Sequence, residues 1–363
     1  MRGSVKTAAV VTAAWLVVIS PIPFPRGPTA SAASGLPRVY AQGANLVAAG
    51  KRFQAWGFNY GVGDRYAILR YFDQPTDDRL RQVVADMREA RSLGANTLRV
   101  YLEIKSFMRQ PGEPRRRPLD ALATLLERAE RLRIHLDITG NLVWRAPPAW
   151  YDALSERGRW AVQARFWRAV ARTSHRSSAV LVYELTSEPI IAEAGAWYRG
   201  ELGGYTFIQA IVRNLAGRDP NELARRWIRL LRDSIRQYDH RHLIGIGLLP
   251  RLWGPFAPSN VARLLDVLLV HKYPRDGGAD DAIATVRGFA GYGKPVVLGE
   301  TAPLWAGTKT YRSFLLGSRR YLDGYLSFYD GRTPSETGTS PADAWYADAL
   351  GTFVGLRGSL VGQ

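Results

Sequence analysis

The stretch AVLVYELTSEP, residues 179–189, changes within a few positions from apolar, β-branched residues to a carboxylate and a proline. The apolar part is typical of a buried strand. Pro189 indicates that the strand has ended, because proline cannot donate a hydrogen bond within a central sheet. Glu188 therefore lies at the tip of the predicted strand. In a closed barrel of parallel strands, the carboxyl ends of the strands form the functional face.

Apolar and amphipathic segments alternate along the rest of the chain. The apolar runs predict strands at residues 53–60, 96–102, 134–140, 179–186, 243–249, 266–273, 295–301 and 324–330. Arginine-rich segments between them have helical periodicity. This order is typical of an α/β fold of the (β/α)8 TIM-barrel class, which we predict as a single domain over residues 49–363. A doubly wound open sheet is the alternative, but GVGD at residues 61–64 lacks the glycine spacing of such folds.

The amino terminus has the pattern of a signal peptide. A basic start with Arg2 and Lys6 precedes an apolar run at 7–20, and ASA at 30–32 is a small-residue cleavage pattern. The apolar run is shorter than the roughly 20 residues that a membrane span needs. We therefore predict a signal peptide at 1–32, a linker and lead-in at 33–48, and a secreted protein with no stable membrane span after cleavage. Association of the secreted protein with the cell surface stays open. An uncleaved anchor is the alternative.

Composition excludes several chemistries. The chain has no cysteine, so it has no disulfide, thiol nucleophile or thiolate metal site. None of its five histidines shows metal-ligand spacing, and we expect neither a metal nor a cofactor. The net charge of +17 permits binding to polyanions. The basic residues are dispersed and no nucleic-acid motif accompanies them, so we expect no nucleic-acid partner.

A second glutamate ends a predicted strand at the same face. Glu300 lies in VVLGET, at the end of the seventh strand, whereas Glu188 follows the fourth. These strands lie on roughly opposite sides of a closed barrel, so their tips can face each other across its mouth. Two carboxylates about 5–5.5 Å apart are the arrangement required for retaining glycoside hydrolysis.

The motifs YELTSEP, HKYP and VVLGET, in this order, resemble those of the retaining glycoside hydrolases of clan A, especially family 5 and its cellulase-like relatives. The resemblance implies a metal-independent β-glycosidase acting on a polysaccharide or oligosaccharide by double displacement. It implies Glu300 as the nucleophile and Glu188 as the acid/base. It also implies supporting roles for Arg99 on the second strand and for His271 and Tyr273 on the sixth.

The sequence departs from the family pattern at two places. Ser187 stands where the family has an asparagine before the acid/base, and the eighth strand offers Phe328 or Tyr329 where the family has a tryptophan. These departures favour an alternative function, a non-catalytic, carbohydrate-binding barrel associated with the cell wall. A secreted polyanion-binding protein, suggested by the charge, is a third possibility.

Further residues are candidates for the site. Flat aromatic faces suit sugar rings, and tryptophans near strand ends or in long loops are Trp144, Trp150, Trp197, Trp253 and Trp305. Trp305 and Trp144 are the best two because each closely follows a strand tip. Asn59 and Asn141 lie at the tips of the first and third strands and are candidate hydroxyl partners. Arg99 has an alternative structural role as a buried partner of Glu184.

Overall fold

Each of the eight predicted strands is present in the computed structural model. The strands are β1 (Ala55–Tyr60), β2 (Thr97–Glu103), β3 (His135–Leu142), β4 (Val180–Ser187), β5 (Leu243–Leu248), β6 (Leu268–His271), β7 (Val296–Glu300) and β8 (Gly324–Tyr329). Every strand pairs in parallel with the next, and β8 pairs with β1, so the sheet closes into a barrel. The predicted (β/α)8 barrel is confirmed, and the open sheet is excluded.

The structure describes residues 35–61, 67–142, 147–191, 199–202, 205–208, 210–212 and 215–362. Within these residues the helices are α1 (Ala67–Asp73), α2 (Asp77–Ser92), α3 (Ile104–Phe107), α4 (Arg116–Leu132), α5 (Ala149–Asp152), α6 (Glu156–Ser174), α7 (Pro220–Arg236), α8 (Pro258–Val261), α9 (Ala279–Ala290), α10 (Thr308–Ser318), α11 (Pro341–Gly355) and α12 (Arg357–Leu360). No described helix is long and apolar enough to cross a membrane. Two short antiparallel hairpins, Met108–Gln110 with Glu113–Pro114 and Arg199–Leu202 with Tyr205–Ile208, lie in the connections.

Local sequence explains where the long helices begin. Side chains of Thr76, Ser155, Asp219 and Ser340 accept hydrogen bonds from backbone N–H groups in the first turns of α2, α6, α7 and α11. Such caps satisfy donors that the helix itself cannot pair. Proline occupies the first turn of α7 and α11, where its missing N–H costs nothing.

Aromatic residues fill the layer between barrel and helices. The rings of Trp56 and Phe353 stack at 4.0 Å, which fixes the closing helix α11 against β1. Trp167 on α6 and Trp227 on α7 are also fully buried. These tryptophans belong to the core, so the tryptophans available for a ligand are those that the loops expose.

The segment before β1 closes the amino end of the barrel. Strands Val39–Gln42 and Asn45–Ala48, in the predicted linker and lead-in, form an antiparallel sheet with Lys51–Arg52, and the compact unit extends from Gly35 to Gln363. Buried residues of this sheet, Val39 and Leu46, pack in one cluster with residues from the beginnings of the barrel strands. The opposite, carboxyl end of the barrel is the end that presents Glu188 and Glu300.

Replacing Leu46 with alanine should lower the free energy of unfolding by about 2–4 kcal/mol, because it removes apolar contacts and leaves a cavity beneath the barrel. The matched control is Tyr40→Ala, which truncates an exposed side chain of the same sheet and should change stability by about 0.5 kcal/mol or less. Urea unfolding followed by circular dichroism measures both. Equal effects of the two variants would show that the sheet does not seal the barrel.

Candidate active site

Two glutamates meet at the carboxyl end of the barrel. Glu300 is the last residue of β7, and Glu188 directly follows β4. Glu188 adopts a left-handed backbone conformation, with φ of 49°, which is unfavourable for a residue other than glycine. Its N–H donates to the carbonyl of Gly247 at 2.7 Å, which holds the turn against β5. Strained residues of this kind cluster at functional sites, where the surrounding structure holds them in place.

The carboxylates are close to each other and to a buried histidine. One oxygen of Glu188, one oxygen of Glu300 and one ring nitrogen of His271 all lie within 4.8 Å of one another. His271 Nδ1 is 3.0 Å from Glu188 Oε1 and 3.5 Å from Glu300 Oε1. His271 is fully buried, whereas both glutamates retain some exposure. The glutamates therefore face the opening of the barrel, and His271 contacts both of them from the buried side.

Arg99 on β2 joins the site to the interior of the barrel. Its Nε and Nη2 donate to the two oxygens of Glu184, at 2.6 and 2.5 Å, and its Nη1 donates to Glu300 Oε1 and to Asn59 Oδ1. Glu184 also accepts from the hydroxyl of Thr139 at 3.0 Å. The sequence allowed two roles for Arg99, pairing with the buried Glu184 or acting as the cation beside Glu300. In the structure Arg99 makes both contacts.

Glu300 is held in its ionised form. The hydroxyl of Tyr273 donates to its second oxygen at 2.6 Å. Burial opposes ionisation of this carboxyl, but the charges of His271 and Arg99 and the hydrogen bonds from Tyr273 and Arg99 outweigh it and lower its pKa. Burial and the nearby charge of Glu300 raise the pKa of Tyr273 well above its usual value, so the phenol stays a donor.

An aromatic wall lies beside Glu300. The Tyr273 ring meets Trp305 edge-on, with centroids 5.6 Å apart, and lies parallel to Phe328 at 6.1 Å. Trp305 is 60% exposed, so much of its indole surface is available to a ligand. Tyr329 is fully buried against Phe58 and Tyr60. Of the two residues considered in place of the family's tryptophan, only Phe328 borders the site.

Asn59 does not have the role expected of it. It is fully buried, and its amide nitrogen donates to the carbonyls of Gly299 and Ser327, both at 3.0 Å. Its oxygen accepts from Arg99 and from the hydroxyl of Tyr101, both at 2.8 Å. The expectation of a sugar contact is wrong, because these groups already use its hydrogen-bonding capacity. Asn59 supports the site by fixing Arg99.

The remaining predicted residues are placed as follows. Ser187 ends β4, is partly buried and lies opposite Gly247 in the register of β4 and β5. Asn141 is in β3, but its side chain lies outside the described residues, as does the whole of Trp144. For Ser187, Asn141 and Trp144 a role in ligand binding stays a prediction.

Two residues of the site were missed by the sequence analysis. A Cβ atom at Gly247 would lie 2.8 Å from His271 Nε2 and would also collide with Glu184, so only glycine lets these side chains approach. Glycine inside a predicted strand, as in LIGIGLL, is the signal for such an approach. Asp137 on β3 is fully buried, and burial together with the charge of Glu184 raises its pKa well above the usual range. Its surroundings therefore favour the neutral form of Asp137 next to the ionised network.

Glu188, His271 and Glu300 also have the donor types of a divalent-cation site. The guanidinium of Arg99 is already bound to Glu300, and a divalent cation beside it would be repelled. The expectation of a metal-independent protein stays a prediction.

Solved structures share this fold. They include an exo-β-1,4-mannosidase from Opitutaceae bacterium strain TAV5, at 20% identity and TM-score 0.62 over 86% of this chain and 60% of that one. A GH5_18 protein from Streptomyces cattleya in complex with Manβ1-4GlcNAc matches at 17% identity and TM-score 0.58, over 76% of this chain and 70% of that one. A β-mannanase from the blue mussel Mytilus edulis matches at 14% identity and TM-score 0.61, over 89% and 96%. This chain thus spans only 60% of the length of the Opitutaceae protein.

No protein-family model matches the sequence, and no curated protein matches it. The structural matches bear out the expected likeness to family 5 glycoside hydrolases at the level of the fold.

Replacing Tyr273 with phenylalanine should raise the pKa of Glu300, because it removes a hydrogen bond that favours the ionised carboxylate. Carbon-13 NMR titration of glutamate-labelled protein, with the signal assigned by Glu300→Gln, measures this change. Tyr151→Phe is the matched control, since Tyr151 is also buried but hydrogen-bonds to Gln163. A pKa of Glu300 that stays the same or falls in Tyr273→Phe would contradict the prediction.

Proposed function

We propose that this chain is a secreted β-glycoside hydrolase that retains the configuration of the anomeric carbon. The observation that carries the proposal is the pair Glu188 and Glu300, whose oxygens approach within 4.8 Å at the open end of the barrel. This separation suits a retaining mechanism, in which no water molecule has to fit between the nucleophile and the sugar. An inverting mechanism requires carboxyl groups roughly 6.5–9.5 Å apart.

Glu300 is the proposed nucleophile. Arg99, His271 and Tyr273 stabilise its ionised form, which is the form that can attack. In the first step a Glu300 oxygen bonds to the anomeric carbon as the bond from that carbon to the leaving oxygen breaks. The carboxylate loses its charge when the ester forms, which weakens the contacts with Arg99 and Tyr273 and readies the group for release.

Glu188 is the proposed acid/base. It lies on the other side of the reacting carbon from Glu300 and gives its proton to the leaving oxygen in the first step. In the second step the ionised Glu188 takes a proton from water, which attacks the anomeric carbon and releases Glu300. The contact of 3.0 Å from His271 Nδ1 orients the Glu188 carboxyl.

β-Mannosides are the proposed first class of substrate. The matched structures include an exo-β-1,4-mannosidase, a β-mannanase and a complex with Manβ1-4GlcNAc. The exposed surface of Trp305 next to Tyr273 suits the apolar face of a pyranose ring. β-Glucosides and β-xylosides are the alternatives to be compared with them.

The proposed site of action is outside the cell. The basic start, the apolar run at 7–20 and the ASA pattern at 30–32 support a signal peptide. Sequencing the amino terminus of exported protein would locate the cleavage that we propose after residue 32.

Azide rescue tests both catalytic assignments with 2,4-dinitrophenyl β-mannoside, whose leaving group needs no acid. Azide should restore turnover of Glu188→Ala and yield the β-glycosyl azide, because it attacks the covalent intermediate from the face that Glu188 served. With Glu300→Ala it should yield the α-glycosyl azide, because it replaces the nucleophile. Without azide, Glu188→Ala should lose about 10²–10⁴-fold in kcat/KM on β-1,4-mannotriose.

The matched control is Glu113→Ala, which changes a glutamate on the outside of the barrel and should keep wild-type rates. Wild-type hydrolysis by Glu300→Ala would refute the proposed mechanism. Binding of mannans, glucans or xylans by the wild-type protein without hydrolysis would instead favour the non-catalytic carbohydrate-binding barrel, the alternative that Ser187 suggests.

A further inference from the structure

A basic groove lies on the outer side of the barrel, among the surrounding helices. Its volume is about 600 Å³, within the range of small-molecule sites. It is lined by the turn of the hairpin at residues 108–114, the start of α4, the second half of α6, and Tyr238, which follows α7. None of these residues belongs to the site around Glu188 and Glu300, so the groove is separate from the proposed catalytic site.

Three arginines of α6 give the groove its charge. Arg165, Arg168 and Arg172 line it, are exposed, and are spaced by three and four residues, so they lie on one face of the helix. In the part of the chain that the structure describes, none of them forms an ion pair. Asp120, the acidic residue among the described lining residues, is already paired with Arg116 at 3.4 Å. The groove therefore has three positive charges that no described carboxylate balances.

This arrangement has an electrostatic cost in the unbound protein. Like charges three or four residues apart on a helix repel each other and destabilise it. Neighbouring helices avoid this cost, since Arg131 pairs with Glu127 on α4 and Arg229 pairs with Glu222 on α7. On α6 the only acidic residue is Glu156, in the first turn. A ligand with negative groups would relieve the repulsion in the rest of α6.

The spacing of the charges and the shape of the groove suit an acidic polysaccharide. Arg165 and Arg172 lie about 10 Å apart along the helix axis, at about 1.5 Å per residue, so they can meet carboxylates on neighbouring sugars of an extended chain. A guanidinium binds a carboxylate through two parallel hydrogen bonds. Tyr238 is 38% exposed and adds an aromatic face for a pyranose ring. A flat bilayer could not follow a concave groove, and the sequence has no nucleic-acid motif.

We propose that this groove is a second carbohydrate site, which binds a polysaccharide of uronic acids without cleaving it. The three arginines of α6 bind the sugar carboxylates, and Tyr238 stacks on a ring. Because the groove is on the outer side of the barrel, a chain bound there leaves the mouth around Glu188 free. The bound polysaccharide thus anchors the protein while other glycosides reach the mouth. Binding in the groove does not depend on the proposed hydrolysis.

Isothermal titration calorimetry with polygalacturonate tests the proposal. The wild-type protein should bind this polymer at low ionic strength, and more weakly as salt is added, because salt screens exposed charges. The triple variant Arg165→Gln, Arg168→Gln, Arg172→Gln should raise Kd by about tenfold or more, since three exposed ion pairs together supply that much binding energy. All three side chains are exposed, so the variant should fold.

The matched control removes the same charge from the opposite side of the barrel. The triple variant Arg287→Gln, Arg312→Gln, Arg319→Gln changes exposed arginines on α9, on α10 and directly after α10. It should bind polygalacturonate within about twofold of the wild-type protein, because these arginines are far from the groove. An equal loss of affinity in both triple variants would show that net charge alone drives binding, and would overturn the proposal.

Two further outcomes would also overturn it. One is that the wild-type protein does not bind polygalacturonate. The other is that the α6 variant loses binding to duplex DNA or to phosphatidylglycerol vesicles, but not to polygalacturonate. Hydrolysis of β-1,4-mannotriose by the same proteins should be unchanged in both triple variants. Absence of hydrolysis by the wild-type protein would count against the proposed function alone, so the two failures are distinguished.

Discussion

The buried guanidinium of Arg99 is the interaction on which the site depends. A cation without solvent contact is stable only if anions and hydrogen-bond acceptors surround it, and Glu184, Glu300, Asn59 and Thr139 provide them. These partners come from four different strands of the barrel and Arg99 itself lies on a fifth, so one side chain links the positions of five strands. Arg99 holds Glu300 in place and, with His271 and Tyr273, favours its ionised form.

The unequal surroundings of the two proposed catalytic carboxyls support the roles proposed for them. Glu300 lies near His271 and contacts a permanent cation, Arg99, and a phenol that donates to it, and these groups lower its pKa. Glu188 contacts His271, whose own pKa is raised because the neighbouring carboxylates outweigh the opposing effect of burial. A histidine can gain or lose its proton at moderate pH, whereas an arginine cannot. In the proposed mechanism, the proton is transferred by Glu188, the carboxyl in contact with a histidine whose own charge can change.

Much of the fold could be predicted from the sequence because the barrel strands are buried on both faces and read as apolar runs. The strand pair at Val39–Ala48 was missed because each strand has only four residues, too few for a periodicity to be recognised. Glu188 and Glu300 were found because a carboxylate at the end of an apolar run is unusual. The role of Asn59 was misjudged because sequence cannot tell whether a polar strand tip faces the ligand or a buried arginine.

We propose that the Arg99 network holds Glu300 ionised, ready to bond to the anomeric carbon of a bound sugar. The most direct measurement is mass spectrometry of the protein after reaction with 2-deoxy-2-fluoro-β-mannosyl fluoride, which slows release of a covalent intermediate. The account predicts one added fluoromannosyl group, on the peptide and the side chain of Glu300. The same label on any other residue, or no label while the reagent is hydrolysed at the rate of the unfluorinated substrate, would contradict it.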